Sequence, residues 1–334
     1  MAGFKIGSVS VEHGLALAPM AGYTDRAMRL VAKSYGAEYL VSEMVSAKAI
    51  VYRDKKTALL ARIEEDELPS ALQLFGSEPE IIAEAAEIVA SGEFDGTVPP
   101  VIDINMGCPV PKVYKNGEGS ALMRDPSLIE KICAATTKRV NIPLSVKLRL
   151  GVDRAHINVL ECAKAAESGG ASLVAIHGRT RADMYTGQAS YAEIAEVKHA
   201  LSVPVIANGD ITSASVALSV LGETGADGLM IGRGAIGNPF IFSEIRSALK
   251  GEEYTAPSVT ERRDTALRQL KLAILDKGEE LAVREARGQI AQYMRSFRGA
   301  AALRAAINRA VSLSEVEEAF DKAVAENGDE GYVR

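Results

Sequence analysis

Three side chains in this sequence stand where a short apolar run breaks off and can move a proton or hold a charge there: Cys108, Lys147 and His177. Cys108 follows Val101-Ile102-Asp103-Ile104-Asn105-Met106, a stretch of strand character that ends abruptly at Gly107-Cys108-Pro109. Gly107 permits a tight backbone path, and Pro109 fixes φ and removes a donor, so the thiol is displayed at the mouth of a strand. Lys147 closes the run Leu144–Leu150 and suits either a Schiff-base nucleophile or a fixed positive charge beside a cofactor. His177 precedes Gly178-Arg179-Thr180-Arg181. A general acid or base, a hydrogen-bond donor to a ring and a structural residue all remain open for it. Cys133 and Cys162 fall on apolar faces of expected helices and read as inert core.

The elements that must position these groups repeat. Runs at Leu15–Ala21, Tyr39–Val45, Ser70–Gly76, Val101–Gly107, Leu144–Leu150, Leu173–Gly178, Pro204–Asp210 and Gly228–Gly234 recur about every 30 residues, the length of a βα unit. Helical stretches such as Thr24–Tyr35, Asn158–Ser168 and Ser213–Leu221 follow them. The pattern predicts a (β/α)8 TIM barrel, with an open doubly wound sheet as the alternative. A barrel gathers its chemistry at the C-terminal ends of the strands. That rule brings together Pro19, Met20 and Ala21, then Glu43, Gln73, Asn105, Cys108, Lys147, Arg149, His177 and Arg179. The last two strands add Asn208, Gly209, Asp210, Gly232, Arg233 and Gly234. Glycine turns and an arginine after strands seven and eight predict a phosphate-bearing cofactor. Gly232-x-Gly234-x-x-Gly237 matches a dinucleotide fingerprint, but no βαβ unit follows it, so no Rossmann domain is expected.

Composition bounds the class. The net charge of −6 argues against a surface coated in basic residues but leaves room for a local patch. No apolar run approaches the roughly 20 residues of a membrane span, and Met1–Ser10 lacks a signal-peptide pattern. Three cysteines without a CxxC pair point to a reduced, cytoplasmic setting, and no metal site is expected.

Strand-like runs stop after Phe240. The expected organisation is a barrel over 1–245, a linker over 246–258 and a small helical domain over 259–334. Its helices are predicted at Val259–Lys277, Leu281–Phe297 and Ala300–Val311. A last one is predicted from Ser314, with Glu317 completing a capping box. At about 100° per residue, Arg284, Arg287, Arg295 and Arg298 fall within an arc of about 80° on the second helix. Ile290, Tyr293 and Phe297 lie on another side and face a core. Residues 284–309 hold six Arg and one Glu, so a polyanion is the expected partner of this face.

Several segments, in this order, resemble tRNA-dihydrouridine synthases, closest in appearance to the bacterial B-type. They are Ala18-Pro19-Met20-Ala21-Gly22-Tyr23-Thr24-Asp25, Asp103-Ile104-Asn105-Met106-Gly107-Cys108-Pro109 and Gly119-Ser120-Ala121-Leu122-Met123, then Lys147-Leu148-Arg149 and Ile176-His177-Gly178-Arg179-Thr180-Arg181. Ile206-Ala207-Asn208-Gly209-Asp210 and Met230-Ile231-Gly232-Arg233-Gly234 complete the barrel set. In the tail, Gly299-Ala300-Ala301-Ala302-Leu303-Arg304 is similar to that family's helical domain.

The resemblance implies an FMN enzyme that reduces a uridine of tRNA to 5,6-dihydrouridine, with NADPH as the electron source. By the family pattern, Pro19, Met20 and Ala21 lie along the flavin and Gln73 bonds its pyrimidine edge. Lys147 stands by the N1/O2 side, and His177 lines the pocket. Asn208, Gly209, Asp210, Gly232 and Arg233 hold the ribityl chain and phosphate, and Cys108 is the proton donor. Asn105, Lys112, Lys115 and Arg181 at the mouth, with Arg284, Arg287, Arg295 and Arg298 in the tail, are the expected tRNA contacts. Tyr191 and Phe240 stand where many relatives have Trp. Arg287-Gly288-Gln289 stands where relatives often have Arg-Lys-His, which removes two expected phosphate contacts. Another FMN barrel acting on a free pyrimidine, such as a dihydroorotate dehydrogenase, and an inactive RNA-binding module are the alternatives.

Overall fold

The computed structural model describes residues 3–93 and 97–328. Eight parallel strands form the barrel: β1 (Leu15–Leu17), β2 (Tyr39–Val41), β3 (Ser70–Phe75), β4 (Val101–Asn105), β5 (Leu144–Leu148), β6 (Leu173–His177), β7 (Val205–Asn208) and β8 (Gly228–Ile231). Each pairs with its neighbours in sequence. β8 pairs with β1, and Leu40 and Val41 of β2 pair with Ser70 and Ala71 of β3, so the eight strands close, with Val45–Ser46 adding a short pairing to Leu74 and Phe75 of β3. All eight strands fall within the runs read from the sequence, because buried parallel strands are continuous apolar segments punctuated by loops.

Alternation along each strand divides the core. Leu72, Ile102, Ile104, Val146, Val174 and Ile176 belong to the layer between strands and helices. Ala71, Val101, Leu173, Ala175, Ile206 and Met230 fill the interior. An antiparallel hairpin of Phe4–Ile6 and Val9–Val11, not anticipated from the sequence, joins that interior cluster, with Phe4 edge-on to Tyr39 at 5.9 Å. The hairpin supplies apolar cover, which leaves the polar inward positions at the other end for chemistry. Period-two geometry places Asp103 and Asn105 inward from β4 and Ser145 and Lys147 inward from β5. The register sets Gln73 beside Asp103, Asp103 beside Ser145 and Asn105 beside Lys147.

The helix Arg26–Ser34 after β1 is capped by Asp25, whose Oδ1 accepts from Met28 N at 3.0 Å. The helix Ala214–Thr224 after β7 is capped by Ser213. The helix Ile241–Lys250 carries the chain past position 245, and residues 252–258 lead without regular structure to the helix Val259–Lys277. No helix among the described residues is long and apolar enough to cross a membrane.

The helical region departs from expectation in two places. The second helix is α only over Glu279–Ile290, and Ala291–Met294 is a 3-10 turn. A 3-10 turn winds at about three residues per turn, so one arc cannot carry Arg284 and Arg287 through to Arg295 and Arg298. The last helix spans Leu313–Asn327 and is capped by Ser312, not Ser314: Ser312 Oγ accepts from Glu315 N at 3.3 Å. Glu315 Oε2 in turn accepts from Val311 N at 3.0 Å, so the cap closes two residues earlier than expected. Ile290, Tyr293 and Phe297 are buried in a second core that also takes in Ala27 and Phe240 from the barrel. Tyr35, Phe240 and Tyr293 stack edge to face at 4.6 and 6.3 Å across that joint. Burial of an aromatic side chain is worth about 1.5–3 kcal/mol, so the joint is an integral part of the fold.

Candidate active site at the barrel mouth

The turn after β4 is held from three sides. Asn105 Oδ1 accepts from Cys108 N at 2.8 Å and from Gly107 N at 3.2 Å, a side chain substituting for backbone pairing. Arg149 Nε donates to Gly107 O at 2.9 Å. Ser120 Oγ donates to Cys108 O at 2.7 Å. Gly119, at φ +59°, lets this segment approach: a Cβ there would lie 2.9 Å from Cys108 Cβ. The Cys108 thiol is half-buried. Burial pushes it above the usual thiol range, while a backbone hydrogen bond from Val110 and the Arg149 charge pull the other way. A raised pKa keeps the thiol protonated, the reverse of what a nucleophilic cysteine needs. Cys133 and Cys162 are buried and pushed up to about 12 by desolvation.

Beneath that turn runs a buried polar chain. Asn105 Nδ2 donates to Gln73 Oε1 at 2.8 Å, and Gln73 Nε2 donates to Asp103 Oδ2 at 2.7 Å. Ser145 Oγ donates to Asp103 Oδ1 at 2.5 Å.

Cations crowd the other side. Lys147 Nζ donates to Asn208 Oδ1 at 3.0 Å, and Asn208 Nδ2 donates to Met230 O at 2.6 Å. Desolvation, with Arg149 adding repulsion, pushes Lys147 down to about 7 despite the Asp103 carboxylate. Burial and the charges of Lys147, Arg149 and Arg179 hold His177 far below its ordinary value, so its ring is neutral. Arg179 Nη1 lies 3.4 Å from His177 Nε2, which makes that nitrogen the acceptor and leaves the proton on Nδ1.

Arg149 and Arg179 are structural clamps as well as charges. Arg149 Nη1 donates to Thr180 O and Met184 O, both at 2.8 Å, tying the Cys108 turn to the loop after β6. Arg179 grips Asp210 with both nitrogens at 2.8 Å and also bonds Thr186 O and Gly187 O. Burial works against Asp210, yet Arg179, the Ala189 N–H and Arg233 hold its carboxyl below the usual range. Asp210, expected at the phosphate end of a cofactor, thus turns its carboxylate onto Arg179. Gly209, at φ +130°, packs where a Cβ would come within 3.2 Å of His177 Cδ2, and Tyr191 Oη donates to its carbonyl at 2.8 Å. Arg233 is half exposed, 3.4 Å from Asp210 and over the Tyr185 ring at 5.2 Å.

Pro19 and Met20 are half-buried and Ala21 exposed in the turn after β1, where Met20 N donates to Thr24 Oγ1 at 2.8 Å. Gly22 N donates to Glu43 Oε1 at 2.6 Å, and Gly22 O accepts from Gln289 Nε2 at 3.2 Å. Gln289 is buried and bonded to Gln269, whose oxygen accepts from Tyr293 Oη at 2.6 Å. It therefore ties the tail to the barrel mouth and does not face a phosphate. Lys112 and Lys115 are exposed on the short helix Pro111–Lys115, and Arg181 lies over Tyr114 of that helix at 4.2 Å. In the tail, Arg284, Arg295 and Arg298 are exposed and have no ion pair among the described residues. Arg287 differs: half-buried, it donates to Ala310 O at 2.7 Å.

A protonated thiol, a half-buried ammonium and clamped arginines around one concave mouth suit proton delivery to a site where negative charge develops. Residues 16–328 match the family model for dihydrouridine synthases, spanning barrel and tail alike. The chain belongs to the dihydrouridine synthase family. It is 42% identical over 310 residues to tRNA-dihydrouridine synthase B of Pseudomonas putida, covering 92% of this chain and 90% of that protein. It is also 42% identical over 306 residues to tRNA-dihydrouridine synthase B of Pseudomonas aeruginosa, covering 91% of each. The counterpart of Pseudomonas syringae is 41% identical over 310 residues, 92% of this chain and 90% of that protein. The family's motifs account for most of the mouth, but sequence reading passed over Asp103, Ser145 and the inward role of Gln289. Each left a signal: Asp103 lies two residues before Asn105, and Ser145 two before Lys147, on the same face of a strand. Gln289 follows Ala282, Val283 and Ala286 at helical spacing toward the core.

Proposed function

We propose that the protein reduces a uridine of tRNA to 5,6-dihydrouridine, with FMN at the barrel mouth and NADPH as the electron source. The donor set suits such a cofactor. The Lys147 ammonium has three hydrogens and one hydrogen-bond partner among the described residues, Asn208. It is half-buried beside Arg149, a grouping that calls for an anionic partner. Arg233, with Gly232 and Gly209 exposing backbone, suits the phosphate, and Pro19, Met20, Ala21, Gln73 and His177 would line the ring. When bound, the reduced flavin supplies the hydride that adds to C6 of the uracil.

Charge then gathers at C5 and its conjugated carbonyl. Cys108 Sγ–H gives its proton to C5, the C5–H bond forms, and the resulting thiolate takes a proton back from solvent. Lys147 offsets the negative charge, and the second Nδ2 hydrogen of Asn105, without a partner among the described residues, meets the base. Lys112, Lys115 and Arg181 grip phosphates beside an extruded loop uridine, which costs less to unstack than a base in a duplex. The helical region 259–334 adds Arg284, Arg295 and Arg298 to that grip, while the barrel, 1–245, carries the chemistry. A cytoplasmic location follows from this substrate.

The observation that carries this reading is the half-buried Cys108 thiol on a turn pinned by Asn105, Arg149 and Ser120, facing a mouth that also holds Lys147. Cys108→Ala is expected to slow uridine reduction at least about a hundredfold, the scale of a lost general acid, while NADPH oxidation by the flavin continues. Uridine reduction by that variant at the wild-type rate contradicts the assignment. A gel shift with bulk tRNA separates this enzyme from a barrel that acts on a free pyrimidine.

A further inference from the structure

We propose that Asp103 is a positioning residue for proton delivery: through the amides of Gln73 and Asn105 it fixes the backbone of Gly107 and Cys108, and so the aim of the thiol. This rests on the reading of Cys108 as the acid. The chain is directional because both of its ends are. At one end the N–H groups of Gly107 and Cys108 can only donate, so Asn105 must present Oδ1 to them, at 3.2 and 2.8 Å. Its Nδ2 must then face Gln73, which must offer Oε1, at 2.8 Å. Gln73 Nε2 is left to point at Asp103, and the partner there must accept, at 2.7 Å. A carboxylate oxygen meets that demand, and the Ser145 hydroxyl at 2.5 Å occupies its other oxygen.

All three links are buried, with Gln73 0%, Asp103 3% and Asn105 8% exposed. Water therefore cannot easily stand in for a lost partner. An amide turned the wrong way would set donor against donor, at about 1–3 kcal/mol for each unsatisfied group. Among the described residues Asp103 makes its hydrogen bonds to Gln73 and Ser145, and none to Cys108 or the loop that carries it. Its register neighbours are Gln73 and Ser145, so it acts on the thiol only through the two amides.

The test compares Asp103→Ala with Asp103→Asn. Asparagine can keep an oxygen toward Gln73 and turn its amide to the Ser145 hydroxyl, preserving the direction of the chain. Alanine leaves Gln73 Nε2 unpartnered and frees both amides to turn. Two readouts are taken on FMN-loaded protein: single-turnover uridine reduction, and the rate of Cys108 alkylation by iodoacetamide at fixed pH. The other two cysteines are buried and do not compete. Asp103→Ala should lose at least about tenfold in single-turnover rate, the worth of one unsatisfied buried amide, and change the alkylation rate several-fold. Asp103→Asn should stay close to wild type in both.

Wild-type alkylation of Cys108 in Asp103→Ala, or an Asp103→Asn protein as impaired as the alanine variant, overturns the proposal. If Asp103→Ala does not fold, Gln73→Met breaks the same chain from its middle, and an unchanged Cys108 alkylation rate in that protein is equally fatal. Failure of the acid assignment itself shows separately, as persistent uridine reduction in Cys108→Ala. Alkylation still reports whether Asp103 governs the turn.

Discussion

The arginines of the barrel mouth and those of the helical tail carry the same charge and are built in opposite ways. Arg149 and Arg179 are buried and tethered, each held by carbonyls or a carboxylate from the loop after β6 or the turn after β7. Arg284, Arg295 and Arg298 are exposed, with no ion partner among the described residues. Chemistry at one atom needs a fixed geometry, so its charges are tethered on all sides. A grip on a polyanion needs only charge near phosphates, which tolerates loose side chains. Arg287 breaks the pattern from within the tail, being tethered like a mouth residue through Ala310 O.

The largest effect is expected at Lys147. Before an anionic ligand binds, the ammonium is pushed down to about 7. The ring of the reduced flavin is the anionic one and raises that value, so binding takes up a proton, and affinity for reduced FMN should fall as pH rises from about 7 toward the bound-state value. Anaerobic titration with reduced FMN across that range should show weakening of about tenfold per pH unit. Lys147→Met should bind reduced FMN about a hundredfold more weakly at low pH, the scale of a lost charge partner, with no pH dependence from this group in that range. A wild-type affinity that is flat with pH would sink this assignment.

Next comes the alkaline limb of single-turnover uridine reduction. The thiol must be protonated to act, and burial raises its pKa. The rate should therefore hold past the ordinary cysteine value of roughly 8.5 and fall only above it. A decline already complete at the ordinary value would place Cys108 in water.

The smallest effects separate the two kinds of tail arginine. Arg284→Gln with Arg298→Gln should weaken tRNA binding about tenfold and flatten its salt dependence by about 1.4–1.8 in slope, for two phosphate contacts. Arg287→Gln should leave that slope unchanged and lower stability by about 1 kcal/mol through the lost hydrogen bond, read as a shift in the urea midpoint. If Arg287→Gln alters the slope as much as the exposed pair, the distinction fails.

The barrel was legible because its strands are apolar throughout and its turns carry Gly, Pro and Asn, local signals that tertiary context did not override. The mouth residues followed from strand ends and family motifs. What escaped was cross-strand. Asp103 looks like an ordinary polar interruption of β4 until the register sets it beside Gln73 and Ser145, and register is not written in any one segment. In the tail, the arginine arc failed because a helical wheel assumes one helix type, and the turn at Ala291–Met294 changes the winding midway. Gln289 was weighed by the arginine beside it when the apolar spacing around it pointed inward.

The hydrogen bond from Gln289 to the Gly22 carbonyl has an architectural consequence. The turn that follows Met20 is suspended between a carboxylate of the barrel, Glu43, and an amide of the tail. The tail is thus a wall of the barrel mouth as well as the proposed handle for RNA. A lineage that traded this tail for another gripping module would also have to rebuild the ledge beside the first barrel strand.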